Sequence, residues 1–375
     1  MSAPGRSQAR IPQHDMRRVV HERAGPLPSA NPAARRAEGS PVSDLVVATP
    51  RGLYCPPGGF YIDPWRPVER AVITHAHADH ARRGHAHYLA QADGQGLLRQ
   101  RLGAGIRLQG LAYGEAVDHQ GVRVSLHPAG HVLGSAQVRI EHAGRVWVVS
   151  GDYKLEADPT CPPFEPQRCH TFITESTFGL PIYRWPGPER LFAEINAWWS
   201  ANAAAGLASV VYAYSLGKAQ RVLMGVDERI GPLVVHGTVA ALNEAYAAAG
   251  VRLPRCHAAD ALDAAALRRA LIVAPSPAAL VPWLERLTPY ADAFASGWMR
   301  VRGARRRRGM GHGFVLSDHA DWPALHDAIA ATGAERVIVT HGSEAVLARS
   351  LREQGVQAET LAETLTDTPS DEAAA

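Results

Sequence analysis

From about Leu45 onward, short β-rich apolar runs alternate with alanine-rich stretches of helical spacing. The clearest candidate strands cover 71–74, 122–126, 137–141, 146–150 and 171–174, and several end at or just before a polar residue able to do chemistry. Side chains carried by loops at the end of a rigid sheet are a common way to build a site. Around 178–188 the texture changes to a turn-rich segment, GLPIYRWPGP. A second series follows, with a helix from about 189 to 202 and strands at 209–213, 233–236, 271–274 and 293–295 separated by helices. This alternation predicts a small parallel α/β unit. The chain then gives a strand at 314–316, a helix near 322–331, a strand at 336–340 and a helix over 344–354. The acidic, alanine-rich residues 361–375 read as a frayed tail.

At 375 residues the chain is long enough to bury a large core in two or three domains. No apolar run approaches the roughly 18 residues that span a bilayer. The opening MSAPGRSQARIPQHDMRR is basic but has no apolar segment of the kind a secretory signal needs. The four cysteines, Cys55, Cys161, Cys169 and Cys256, fit neither a CxxC module nor a dense disulfide framework, so a cytoplasmic location is expected. The net charge of +3 says little by itself. Within residues 1–42, however, Arg6, Arg10, Arg17, Arg18, Arg23, Arg35 and Arg36 are scattered among Pro, Ser, Gly and Ala, a composition expected to remain a disordered basic arm. The run Arg305-Arg306-Arg307-Arg308 reads as a solvated loop.

The chemistry concentrates in Val72-Ile73-Thr74-His75-Ala76-His77-Ala78-Asp79-His80, directly after a predicted strand. Zinc prefers imidazole nitrogen and accepts carboxylate oxygen, and this string supplies both. In an extended segment His75 and His77 point the same way, toward one ion. The chain is expected to turn next into a helix, with Asp79 and His80 facing a second ion. Further ligand types recur at other strand ends: His131 in HPAGHVLGSA, Asp152 in SGDYK and His341 in THGSE. Small residues around His131 allow close backbone approach. Together these residues make a set that suits two ions sharing a carboxylate. Two ions about 3.5–4 Å apart clamp the attacking and leaving oxygens of an in-line displacement and acidify a bound water to a pKa near 7.

The order HxHxDH, GHxxGS, GDY and a late strand-end histidine resembles the metallo-β-lactamase superfamily. The resemblance implies His75, His77 and His131 on a first zinc, Asp79, His80 and His341 on a second, and Asp152 bridging them. It implies an αββα sandwich with the metals at one edge. Glu175 in ESTFG, His319 in LSDHAD and the His341 string resemble the three motifs of the β-CASP nucleases. Such a chain carries an inserted small α/β domain, here 178–312, between core segments 43–177 and 313–360. With Asp79, Glu175 and His319 count as catalytic residues. A phosphodiester leaves as a basic alkoxide, so His319, oriented by Glu175, suits a general acid.

The string YSLGKAQR runs from a strand into a helix, whose free N–H groups with Ser215, Gly217 and Lys218 make an anion site. Lys154, Arg221, Arg300, Arg302 and the arginine run are expected on a groove rim. Lys218 resembles the DNA-acting members, whereas His341 is the usual marker of RNA-acting ones. The wider strings TPRGLYCPPGGFYIDPW, ITHAHADHA, HPAGHVLGSAQV, YSLGKAQR and FASGWM are very similar to bacterial ligase-associated DNA exonucleases. That similarity implies a DNA exonuclease with two divalent ions (zinc, with manganese as the alternative), working in repair beside a DNA ligase. An RNA-processing ribonuclease is the alternative, and a zinc-dependent small-molecule hydrolase the remote one. Trp65, Trp198, Trp199 and Trp298 read as core, leaving Trp185 as the stacking candidate. His85 and His87 are expected on a helix or loop after the ligand string, and His236 as an internally bonded strand-end residue.

Overall fold

The apolar runs form nineteen strands in three sheets in the computed structural model, which describes residues 44–275, 287, 289–301 and 311–366. The first sheet contains, in spatial order, β1 (Val47–Thr49), β2 (Gly52–Cys55), β3 (Phe60–Ile62), β4 (Arg70–Val72), β5 (His87–Gln91) and β6 (Leu108–Leu111), with helix α1 (Gln95–Leu102) between the last two. The second begins with the antiparallel β7 (Ala116–His119), β8 (Val122–Pro128), β9 (Ala136–His142) and β10 (Arg145–Val149), then adds the parallel β11 (Thr171–Ser176).

After Ser176 the chain leaves this sheet. It forms α2 (Pro188–Ala204), β12 (Ala208–Tyr212), α3 (Lys218–Gly225), β13 (Leu233–Val235), α4 (Gly237–Ala248) and β14 (Cys256–His257). Next come α5 (Ala264–Leu267), β15 (Leu271–Ala274), β16 (Tyr290–Ala295) and β17 (His312–Phe314). These strands make a third sheet, parallel throughout, in the order β14-β13-β15-β12-β16-β17. Its central strands are buried on both faces, which is why VVY and LIVA read as unbroken apolar runs. The chain returns through α6 (Trp322–Thr332) to β18 (Arg336–Gly342), α7 (Glu344–Glu353), β19 (Gln357–Thr360) and α8 (Leu361–Thr366). β18 pairs in parallel with β11 and so completes the second sheet with β19.

The first two sheets share one apolar core, in which Phe60, Ile62 and Val72 meet Val124, Ile140, Trp147 and Ile173. Helices cover their other faces. Leu325, Ile329, Leu347 and Leu351 lie on Val148, Phe172 and Val339, while Leu97, Leu98 and Leu102 lie on Ile73 and Tyr88. The molecule is therefore mixed α/β, and no helix among the described residues is long and apolar enough to cross a membrane.

Four expectations change. Residues 361–366 form a helix rather than the start of a frayed tail, because Thr360 and Glu363 cap it reciprocally: the Glu363 N–H donates to Thr360 Oγ1 (3.3 Å) and the Thr360 N–H to Glu363 Oε2 (2.6 Å). Residues 78–80 form a turn, not a helix, closed by the Ala81 N–H on the His77 carbonyl at 2.8 Å. His87 opens strand β5 instead of lying on a helix or loop. The strand expected at 314–316 lies two residues earlier, where β17 pairs with β16. Residues 1–42, Arg302, the run Arg305–Arg308 and the last residues of the acidic tail lie outside the described residues.

Candidate metal centre

Strand ends bring His75, His77, His131 and Asp152 together so that one ligand atom from each lies within 4.8 Å of the others. His75 and His77 follow β4, His131 follows β8, and Asp152 follows β10. Gly130 and Gly134 flank His131 at φ +73° each, and a Cβ at either would meet the backbone of Lys154 or Gly94. Only glycine allows that approach without strain.

Each imidazole has one nitrogen tied to an acceptor that faces away from this cluster. His131 Nδ1 donates to the Asp318 carbonyl at 2.7 Å, and His77 Nε2 to the Leu216 carbonyl at 3.2 Å. His80 Nδ1 donates to Asp63 at 2.7 Å, and His75 Nδ1 lies 3.1 Å from Thr74 Oγ1, itself bonded to Asp63. The remaining nitrogens converge. His75 Nε2, His80 Nε2 and His131 Nε2 are 3.5, 3.4 and 3.7 Å from Asp152 Oδ2, and His75 Nε2 and His131 Nε2 are each 3.0 Å from His77 Nδ1. His80 Nε2 is buried with no hydrogen-bond partner. Outer acceptors that fix the tautomer and orientation of inward-facing imidazoles are the support a divalent ion requires. The residues therefore fit a metal.

Burial holds His75 and His131 well below the usual histidine range and lowers His77, which favours the neutral, ligating form. Burial also disfavours charge on His80, yet Asp152 and Asp63 raise it well above that range. Against its own burial, Asp152 is kept well below the usual carboxylate range by His80 and His319.

The outer half of the expected ligand set is more open. Asp79 is exposed, with its carboxylate 3.9 Å from His80 Nε2. The exposed His341 ring stacks at 5.4 Å on His80. Its backbone adopts φ +54°, where β11 and β18 slip register between Glu175 and Ser176. Such a bulge turns a side chain away from the regular pleat, at a cost of about 1–3 kcal/mol that is typical of functional sites.

His319 and Glu175 form a second group with Asp152. His319 Nδ1 is 3.0 Å from both Glu175 oxygens and 3.9 Å from Asp152 Oδ2. Glu175 is itself held by the Tyr153 N–H at 2.8 Å and by the Thr177 hydroxyl. Burial opposes charge on His319, but Glu175 and Asp152 push its pKa up to about 9. Trp185, expected to stack on bases, instead donates its indole N–H to the His319 carbonyl at 2.9 Å and packs on Phe178, so it supports this motif from behind.

The cationic candidates separate. Lys154 and Arg221 are buried rather than on a groove rim: Lys154 Nζ lies 2.6 Å from Asp158, and Arg221 pairs with Glu156, Asp158 and Asp318 and donates to the Ser317 carbonyl. Carboxylates folded into the same interior draw both chains inward. Arg221→Ala leaves three acidic groups short of a partner, and a loss on the order of 3–5 kcal/mol is expected in denaturant unfolding. Lys218 is also buried, 3.4 Å from Asp318, but borders the cleft, as does Ser215. The anion site expected at the start of α3 is partly occupied, because the Gly217 N–H donates to Gln220 Oε1 at 2.8 Å and the Ala219 N–H to the Tyr214 carbonyl at 3.0 Å. Arg300 is exposed and donates to the Ile182 carbonyl at 3.3 Å. His236 caps α4, accepting the Thr238 N–H.

Asp63 was not among the expected site residues, although it orients both Thr74 and His80. The aspartate after strand β3 in the string FYIDPW was its only local sign. Asp63→Ala is expected to weaken metal binding about 10–100-fold, as read by competition with a chelator. Arg101, also unanticipated, borders the cleft and donates to the Ala76 carbonyl at 2.5 Å.

The histidines open onto a cleft of about 600 Å³ bordered by His77, Asp79, His131, Asp152, His319 and His341 together with Lys218, Tyr214 and Trp298. A larger cavity of about 1160 Å³ lies by α4 and β14 and holds none of these groups, so the chemistry belongs to the smaller space.

No protein-family model matches the sequence. A "Probable DNA ligase" from Opitutus terrae is 31% identical over 309 residues, 82% of this chain and 30% of that protein. "Endoribonuclease ysh1" of Schizosaccharomyces pombe is 31% identical over 124 residues, 32% of this chain and 16% of that protein. This chain thus spans under a third of the length of either relative. Among solved structures, a protein of unknown function from Enterococcus faecalis V583 superposes with a TM-score of 0.52 over 77% of this chain and 78% of that one, at 13% identity, a likeness of fold alone.

Proposed function

The chain belongs to the β-CASP branch of the metallo-β-lactamase superfamily, and from that premise we propose that it is a metal-dependent nuclease, a DNA exonuclease acting in repair beside a ligase. The observation that carries this reading is the set of imidazoles tied outward at one nitrogen and converging on Asp152 at the other, with His319 and Glu175 alongside. We read the first two sheets and their helices as the αββα sandwich, and the third sheet as the β-CASP insertion.

In this reading His75, His77 and His131 hold one ion, Asp79, His80 and His341 the other, and Asp152 both. When bound, a pair of zinc or manganese ions supplies Lewis-acid stabilisation of phosphoryl oxygens and an acidified water. Glu175 occupies His319 Nδ1, so the proton available to a leaving oxygen is the one on Nε2. The Glu175 carboxylate beside Nδ1 favours the protonated imidazole, as a general acid requires. Of the candidates for phosphate contact, Ser215 and Lys218 stay in the proposal because they border the cleft.

Matched end-labelled DNA and RNA strands, offered with manganese or zinc, test the assignment. Shortening of DNA from one end is expected. Cleavage of RNA alone would favour the second reading, an RNA-processing ribonuclease, which has the similarity to endoribonuclease ysh1 and the presence of His341 behind it.

A further inference from the structure

Among the Phe, Tyr and Trp side chains of the described residues three are exposed, Trp65 at 42%, Tyr214 at 57% and Trp298 at 39%, so Trp65 and Trp298, expected in the core, do not lie there. All three border the metal centre. Tyr214 and Trp298 line the cleft with His77, Asp152 and His319, and Trp65 borders a small recess that shares Asp152 and His341 with that cleft. Exposed aromatics scattered over a surface need no explanation, but their concentration around one reactive site does.

We propose that Tyr214 and Trp298 form a stacking clamp that admits unpaired nucleobases, making this a site for a single-stranded end; this rests on the nuclease reading. The two residues leave neighbouring parallel strands on the same side. Tyr212 of β12 is in register with Phe294 of β16, so Tyr214 and Trp298 both follow the carboxyl ends of adjacent strands. Each ring is supported. Trp298 packs against Phe178 with centroids 4.8 Å apart and against Tyr183 edge-on at 5.7 Å, and its backbone N–H donates to Ser296 Oγ at 3.3 Å. Tyr214 carries the Lys218 ammonium 4.5 Å from its ring centroid. Backed rings that still expose surface are preorganised platforms, because little side-chain freedom is lost when a flat partner arrives.

The partner's chemistry follows. Within a duplex both faces of an internal base are covered by its neighbours, whereas an unpaired base offers a free π-face to an aromatic ring. Stacking tolerates any sequence, since every base has such a face. A base held here belongs to a nucleotide at or beside the bond facing His319 and Asp152, so the clamp also sets which bond is cut.

The test compares intact single strands, strands with abasic sites at the terminal nucleotides, and blunt duplexes, using the metal-loaded full chain. The unaltered protein is expected to prefer single strands and to show a KM about tenfold higher on abasic ends. Tyr214→Ala and Trp298→Ala are each expected to raise KM on intact strands by about tenfold and to lose the distinction between intact and abasic ends, with Trp298→Phe restoring it. Thermal melting and metal content check that the variants fold. Equal KM on intact and abasic ends in the unaltered protein, or blunt duplexes cut as well as single strands, overturns the clamp while leaving the nuclease assignment standing. Failure to cleave any nucleic acid overturns both.

Discussion

Asp152→Ala is expected to abolish phosphodiester cleavage, with a loss on the order of 10³-fold or more, while the protein still folds. Asp152 Oδ2 lies 3.4–3.7 Å from inward-facing nitrogens of His80, His75 and His131, so it is the one anionic oxygen at the centre of the cluster. If the cluster holds a pair of divalent ions as proposed, removing this carboxylate would leave imidazoles alone to face them with no shared negative charge, and both sites would weaken together. The metal content of purified protein should therefore fall along with activity. Normal turnover with full metal occupancy in Asp152→Ala would remove this carboxylate from the mechanism. Folding survives because the sheets are held by the apolar core in which Val124, Ile140, Trp147 and Ile173 pack, not by this edge.

The second large effect is expected at His319, through the proton rather than the metal. His319→Ala should lower kcat on oligonucleotides by about 10²–10⁴-fold with metal content retained. The same variant should lose much less on a nitrophenyl phosphodiester, whose leaving group departs without a proton. A comparable loss on both substrates would assign His319 to positioning the phosphate instead. Glu175→Gln keeps the shape of the pair but removes the charge that raises His319, and an intermediate loss on oligonucleotides is expected.

Much of this site is legible along the chain because ligands at strand ends are governed locally. HAHADH follows a short apolar run, and a strand-end string needs no distant information to appear as one. GDY after β10 and THG within β18 share that property. The THG string still hid one feature. His341 lies on a bulge in a left-handed backbone conformation, set by pairing with β11 about 165 residues earlier.

Cations and aromatics were misplaced for the opposite reason. Lys154 and Arg221 have the composition of rim residues, but Asp158, Glu156 and Asp318 fold around them. Trp298, read as core, borders the cleft, whereas Trp185, read as the stacking candidate, backs the His319 motif; Phe178 packs against both, so only their position relative to the cleft separates them. The helix at 361–366 was within reach, because Thr360-Leu361-Ala362-Glu363 carries a capping-box spacing that the alanine-rich composition obscured.

By itself, then, the order of residues determined which side chains are available to bind metal and the alternating α/β texture that presents them, since strand and helix periods and strand-end polarity are short-range properties. Tertiary structure alone decided which nitrogen of each histidine faces inward, that Asp63 and the Asp318 carbonyl hold them so, and which charges are interior. Those outcomes depend on burial and on acceptors brought from distant segments, and neither exists until the sheets have packed.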